Sequence, residues 1–540
     1  MKLTYQPAAE LSDRLLHHKV VEKIWKRDPS AWSAAAGSAD ARSINTRLGW
    51  LDVGETMKEK MSQVRRLQEE VRKEGFAAAY LLGMGGSSLC AEVLRSVFSV
   101  AEGFPDLTVL DTTDELTLTT AAGRMDPART LFIVASKSGG TIEVASMERF
   151  FWERMKQALG SEPGRHFVAI TDPGTALQKL AESRGYRDVF LNPDDIGGRF
   201  SALSLFGLVP AALIGAPLDA LHDGGAAMAE GCRQHNHANA GLELGAFMGA
   251  AALEGRDKLT IALAPSFASL GLWIEQLVAE STGKHGKGLL PVVDEPLGRP
   301  DEYGQDRLFV SIASESDAAD EERLAALEAA GFPVLRLSMR HDGLGAEFFR
   351  WEFATAIAGA ALGINPFDEP NVSEAKEKTK ALLAGYAADG RFSTDTARPD
   401  AIPEVGKLIA SIRPGDYVAF LSYLPAESSV ESALMEIRTA LRARKKIAST
   451  FGLGPRYLHS TGQYHKGGPD TCVALVITAD DATETVIPES GYSFSVLKRA
   501  QALGDVQTLE AHGRRVVRLH FSDVKTAPAE LTRIFQQAMA

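Results

Sequence analysis

The residues best placed to do chemistry follow an apolar run, Leu131-Phe132-Ile133-Val134-Ala135, as the loop Ser136-Lys137-Ser138-Gly139-Gly140-Thr141. A helical pattern begins straight after it. The glycines let backbone approach a ligand. The hydroxyls of Ser136, Ser138 and Thr141, with free N–H groups at a helix start, suit an anion. The Gly-Lys-Ser/Thr ending of a nucleotide P-loop is missing, so one phosphate on a small molecule is the expected ligand. An ordinary Ser/Gly turn capping a helix would show the same residues. A second loop, Gly83-Met84-Gly85-Gly86-Ser87-Ser88, has glycines and hydroxyls in a similar setting, and Gly86 and Ser87 are its candidate contacts. A dinucleotide fold would show a similar loop; Asp111 is the one candidate for the ribose contact that such a fold needs.

Three further sets of residues could act on a bound molecule. Gly197-Gly198-Arg199 puts a fixed positive charge on a turn before a helix. Gln276 and Glu280 are four apart and share one helix face among apolar neighbours. A shielded carboxylate there would titrate high enough to move protons; a solvated Glu280 balanced by Lys284 is the alternative. His459 and His465 lie near a Gly-rich loop, but no carboxylate or Cys in the pattern completes a metal site. Lys376, Lys378 and Lys380 form a basic run, the usual mark of a solvated helix face.

The elements that must carry these residues alternate. Five strand-like runs begin at Phe76, Leu107, Leu131, Phe167 and Asp188, with helical patterns between them. That rhythm predicts a doubly wound α/β sheet of parallel strands. A second alternating segment starts near Leu259 with LTIALA and continues through LFVSI and VLRL. A third has DYVAFL, VALVI and RVVRLHF and looks like an imperfect repeat of the second. The expected division is a helical lead-in over 1–72 that packs on the first sheet, a first unit over 73–240, a second over 241–385, a linker over 386–403 and a third unit over 404–540.

Composition sets limits. At 540 residues the chain exceeds one core. A net charge of −12 with no basic tract argues against a nucleic-acid surface. The start lacks a signal-peptide pattern, and Ala202 to Leu218, interrupted by Pro210 and Pro217, reads as a buried helix, not a membrane span. Cys90, Cys232 and Cys472 are scattered, which fits a reducing cytoplasm.

Five segments, GMGGSSL, SKSGGT, DIGGRFS, EQLVAESTGK and INPFDEPNVSEAK, occur in the order that resembles the glucose-6-phosphate isomerase family of paired sugar-isomerase (SIS) domains. The likeness runs from about Gly83 to Lys376. It is greatest to the isomerase half of bacterial fused transaldolase–isomerase proteins, here without a transaldolase barrel. The resemblance implies tandem SIS domains with an added SIS-like third unit and reversible interconversion of glucose 6-phosphate and fructose 6-phosphate through a cis-enediol. Phosphate contacts would come from Ser136, Lys137 through its amide, Ser138 and Thr141, with Ser87 touching the same ligand. Arg199 would steady the enediolate, Glu280 would be the base, Gln276 would line the site and Lys376 would assist ring opening. No metal or cofactor is implied. Glu369 stands where the family has Gln. The family's histidine segment resembles LGPRYLHSTGQYHKGGP, where His459, Ser460, Gly468 and Pro469 keep its spacing, so His459 is favoured over His465 and over His341. It then comes from the third unit, in a monomer or a homodimer. A regulator that binds sugar phosphate without turning it over, and an isomerase that also takes mannose 6-phosphate, are the other readings.

Overall fold

The computed structural model describes residues 4–160, 162–314, 317, 320–392 and 401–539. Among them, thirteen strands form three sheets, and every paired strand runs parallel to its neighbour. The first sheet holds β1 (Ala78–Leu82), β2 (Asp106–Leu110), β3 (Thr130–Ala135), β4 (Phe167–Thr171) and β5 (Asp188–Leu191), in the order β2-β1-β3-β4-β5. The second holds β6 (Lys258–Leu263), β7 (Leu290–Val292), β8 (Arg307–Ala313) and β9 (Val334–Ser338), ordered β7-β6-β8-β9. The third holds β10 (Tyr417–Ser422), β11 (Ala448–Leu453), β12 (Cys472–Ala479) and β13 (Arg515–Phe521), ordered β11-β10-β12-β13. In each sheet the second strand lies on one side of the first and the later strands on the other. The chain therefore reverses direction between the first and third strands. Ligands of open α/β sheets bind at such a reversal, beyond the carboxyl ends of the strands.

The apolar runs behave as parallel strands do. Every residue of β3 and β4 is buried, as their runs of Leu, Phe, Ile, Val and Ala, each with one terminal Thr, require of strands covered on both faces. Two strands go unmarked in the sequence reading, β7 and β11. Both are edge strands, and β7 is three residues long with Pro291, which has no N–H for the ladder. The stretch Ala202 to Leu218 contains the Leu205–Leu213 helix, buried at all nine positions with Pro210 inside it.

The lead-in packs on the first unit and reaches the second as well. Its last helix, Met61–Glu74, packs on Leu205–Leu213 of the first unit, with Gln63 Nε2 3.1 Å from Asp188 Oδ1, and Val53–Lys58 packs on Leu218–Cys232. The Gln6–His17 helix instead lies on Ala240–Leu253, and Trp25 stacks on Phe349 and Phe353 of the Leu344–Leu362 helix. Ser12 donates to buried Glu243 at 2.6 Å, and Trp32 Nε1 to the Ala356 carbonyl at 2.9 Å. The lead-in helices Gln6–His17 and Met61–Glu74 each bury one apolar face.

The span expected as a linker, 386–403, includes the end of the Val372–Asp389 helix and the start of Ala401–Ala410; residues 393–400 lie outside those described. The third sheet shares cores with both of the others. Phe494, Leu497 and Ala500 pack with Phe150 and Met147 of the first unit, and Tyr417, Tyr457 and Tyr464 pack with Ala279, Leu290 and Val292 of the second. That shared packing seats the third unit's loops against the sites of the other two.

Candidate active site

Burial decides the chemistry of Glu280. The Leu270–Thr282 helix presents it to an interior formed by the Gly198–Phe200 turn and the loop after the Leu344–Leu362 helix. Arg199, 3% exposed, brings Nη1 to 3.2 Å from Glu280 Oε1. Its remaining donors are fixed: Nε to Ser281 Oγ at 2.8 Å, and Nη2 to the carbonyls of Pro366 and Asp368, both at 2.8 Å. A guanidinium held on all sides keeps its charge and direction without reorganising. Gln276 Nε2 donates to Glu280 Oε2 at 3.1 Å, the contact its four-residue spacing predicts. Burial raises the Glu280 carboxyl above its ordinary 4.5, and the nearby Glu369 charge adds to this; Arg199, Lys284 and the Gln276 hydrogen bond pull the other way.

The solvated alternative for Glu280 does not hold. Lys284 is buried and reaches Asp368 Oδ1 and the Asn365 carbonyl, each at 2.7 Å. Burial and the Arg199 charge bring its ammonium down to about 7, against the opposing pull of Asp368 and Glu369. Lys284 ties the helix end to the 365–368 loop.

The two glycine loops open at the reversal point, after β1 and after β3. In the second, Thr141 precedes the Ile142–Leu159 helix but makes no capping bond with its side chain, so the loop is not an ordinary cap. Ser136 Oγ lies 3.2 Å from Thr141 Oγ1, and Gly140 N–H donates to Ser138 Oγ at 3.4 Å. The Lys137 side chain turns to Asp172 and to the Asp194 carbonyl, 3.0 Å away, so the main chain is what Lys137 offers the loop's interior. In the first loop Ser87 is buried. A Cβ on Gly86 would lie 2.0 Å from the Gly198 carbonyl oxygen, so this glycine permits direct backbone packing against the Arg199 turn. Gly85 has φ +54°, and a Cβ there would meet the His459 carbonyl at 2.7 Å and Gln276 Nε2 at 2.8 Å.

His459 thus sits where the two other units meet. Its carbonyl accepts from Gln276 Nε2 at 2.8 Å, and its Nε2 lies 3.0 Å from Glu143 Oε1. Glu143 is in the first turn of the Ile142–Leu159 helix and also accepts from Gln501 Nε2 at 2.7 Å. Burial works to raise its carboxyl, but His459 and then Lys376 outweigh it, and it titrates below 4.5. The Arg456–His459 turn is anchored by Arg456, which grips Asp111 through two bonds of 2.7 Å; Ser88 Oγ adds a third to Asp111 at 3.2 Å. Asp111, the ribose candidate, is spent on this anchor.

The chain therefore brings together Glu280, Gln276, Arg199, Gly86 and His459, with the Ser136–Thr141 loop joined through Glu143. Lys376 is exposed on the Val372–Asp389 helix and reaches the group only through its field at Glu143. His465 is buried against Tyr417, 2.7 Å from its hydroxyl, and burial brings its imidazole down to about 3, so it is a neutral core residue. His341 is exposed in the second unit. Among the described residues no group of three or more His, Cys, Asp or Glu could hold a metal ion, and no helix is long and apolar enough to cross a membrane. Glu143 and Ser281 are the contributors the sequence reading misses. Glu143 follows the Ser136–Thr141 loop by two residues, and an acid in a helix's first turn reads as a complement to the dipole.

A family model described as phosphoglucose isomerase matches residues 50–289. The glucose-6-phosphate isomerase of Staphylococcus saprophyticus is 29% identical over 385 residues, spanning 62% of this chain and 86% of that protein. That of Rubrobacter xylanophilus is 29% identical over 378 residues, spanning 59% and 86%. Among solved structures, a hypothetical protein from Thermus thermophilus superposes with a TM-score of 0.62 at 26% identity, covering 71% of this chain and 98% of that one. A glucose-6-phosphate isomerase from Chlamydia trachomatis superposes at 0.56 with 20% identity, covering 71% and 86%, a likeness of fold alone.

Proposed function

We propose that this chain, by its relatives and its matched segment a glucose-6-phosphate isomerase, interconverts glucose 6-phosphate and fructose 6-phosphate by moving a proton between C2 and C1. The Ser136, Ser138 and Thr141 hydroxyls and the Lys137 amide hold the phosphate, with Ser87 alongside. Binding the end that does not react sets C1 and C2 against the base. His459, oriented by Glu143, passes the proton that opens the ring, and the Lys376 charge acts on that pair from the helix surface. The Glu280 carboxylate takes the proton from C2. The C–H electron pair becomes the C1=C2 bond, and the carbonyl pair moves to O1, where Arg199 meets the new charge. The O2 proton passes to O1, the O2 electron pair forms the C2=O2 bond, and the C1=C2 pair takes the proton back from Glu280 at C1, which yields the ketose.

The observation that carries this reading is the buried Glu280, 3.2 Å from an Arg199 fixed by four other groups. A proton-accepting carboxylate beside a rigid cation is what an enediolate pathway needs, and phosphate binding alone needs neither. Kinship with the isomerase half of fused transaldolase–isomerase proteins is part of the same proposal and is supported by the order of the five segments. The test is a coupled assay for glucose 6-phosphate formed from fructose 6-phosphate, run beside glucose 6-phosphate deuterated at C2. Turnover with loss of label to water is expected. Sugar-phosphate binding with neither turnover nor label loss would make the chain a binding protein.

A further inference from the structure

Arg199 Nη1 does not belong to Glu280 alone. Glu369 Oε2 lies 3.3 Å from the same nitrogen, about as close as Glu280 Oε1 at 3.2 Å. Glu369 has a second cation, with Oε1 3.4 Å from Arg47 Nη2, and Arg47 is itself held by Ser43 Oγ at 3.0 Å. The four charges form a line, Arg47–Glu369–Arg199–Glu280, that runs from the N-terminal lead-in to the helix carrying the base. We propose that Glu369 is a positioning residue for the isomerisation: by sharing the Arg199 guanidinium with Glu280, it sets how firmly the base is held by its counter-charge. The inference rests on the isomerase reading only in calling Glu280 the base.

Charge arithmetic gives the direction. Burial works to raise the Glu369 carboxyl, but Arg199, Arg47 and Lys284 outweigh it, and it titrates below 4.5 and stays ionised. The charges facing Glu280 are Arg199 from the Gly198–Phe200 turn, Glu369 from the loop before Val372–Asp389, and Lys284 beyond its own helix. Lys284 is engaged by Asp368. From the third unit come the neutral His459 carbonyl, on Gln276, and the His459 imidazole, which faces Glu143. Of these, Glu369 alone is an anion competing for the same guanidinium nitrogen. An uncharged amide in its place leaves Arg199 to Glu280 and makes the base easier to ionise. Removing Arg47 does the opposite, because Glu369 then leans more heavily on Arg199.

The experiment compares wild type, Glu369→Gln and Arg47→Met by two readouts. One is the pH profile of kcat/KM for isomerisation. The other is direct titration of the Glu280 carboxyl by infrared difference against the same protein carrying Glu280→Gln, which needs no turnover. Glu369→Gln is expected to move the Glu280 titration and the acid limb to lower pH, and Arg47→Met to move both to higher pH. Either variant alone carries the test if the other does not fold. A Glu280 titration unchanged in the folded variants, or displaced the same way in both, would overturn the inference, since a merely structural loop contact gives one of those results. Opposite displacements in a protein without isomerase activity would uphold the coupling and overturn the functional reading.

Discussion

In the proposed reaction Glu280 moves the proton and the Ser136–Thr141 loop binds the phosphate, and substitutions should separate the two. Glu280→Gln keeps the size and the Gln276 contact but removes the base, so kcat should fall by about 10²–10⁴. Calorimetry with a non-reacting sugar phosphate should show nearly unchanged affinity; a variant with near-normal turnover would refute the assignment. Because the base must be ionised and Glu280 titrates above 4.5, wild-type kcat/KM should fall on the acid side at a pH above 4.5. Ser136→Ala with Thr141→Ala should weaken phosphorylated ligands by about 1.5–3 kcal/mol per lost bond and leave unphosphorylated sugars almost untouched. Equal weakening of both would make the loop structural. These residues are legible in the sequence because their signals are local, a four-residue helical spacing and a Ser/Gly cluster after a strand. Glu143 is not, since its meaning depends on a histidine 316 positions away.

Among the elements, the Arg456–His459 turn matters most, because a few polar contacts hold it in the site. Asp111 is buried, and removing Arg456 leaves its charge without the bidentate partner. Arg456→Met should cost about 3 kcal/mol locally. At about 1.4 kcal/mol per tenfold, that is about a hundredfold faster amide exchange over residues 456–468. Adding Asp111→Asn should restore much of the protection; a double variant no better than the single one would mean that packing, not the ion pair, seats the turn. Sequence patterning finds eleven of the thirteen strands because buried parallel strands are long apolar runs. It misses β7 and β11, whose pairing is dictated by the neighbouring strand more than by their own residues. It does not show that the lead-in also reaches the second unit, since an amphipathic helix does not state which apolar surface it will cover.

At the scale of the molecule, the order second-first-third-fourth strand recurs in all three sheets, and the third unit sets His459 against Gln276 and Glu143 of the other two. Tethering replaces an encounter between subunits with a contact inside one chain. We propose that the chain completes its own site, whatever its oligomeric state. The direct measurement is fructose 6-phosphate turnover by wild type, by Glu280→Gln, by His459→Ala, and by the two variants mixed under conditions that exchange subunits. Wild type should turn over, each variant should be nearly inactive, and the mixture should stay so, because every chain then carries one broken half of its own site. Activity regained in the mixture would contradict the account, since it requires Glu280 of one chain to work with His459 of another.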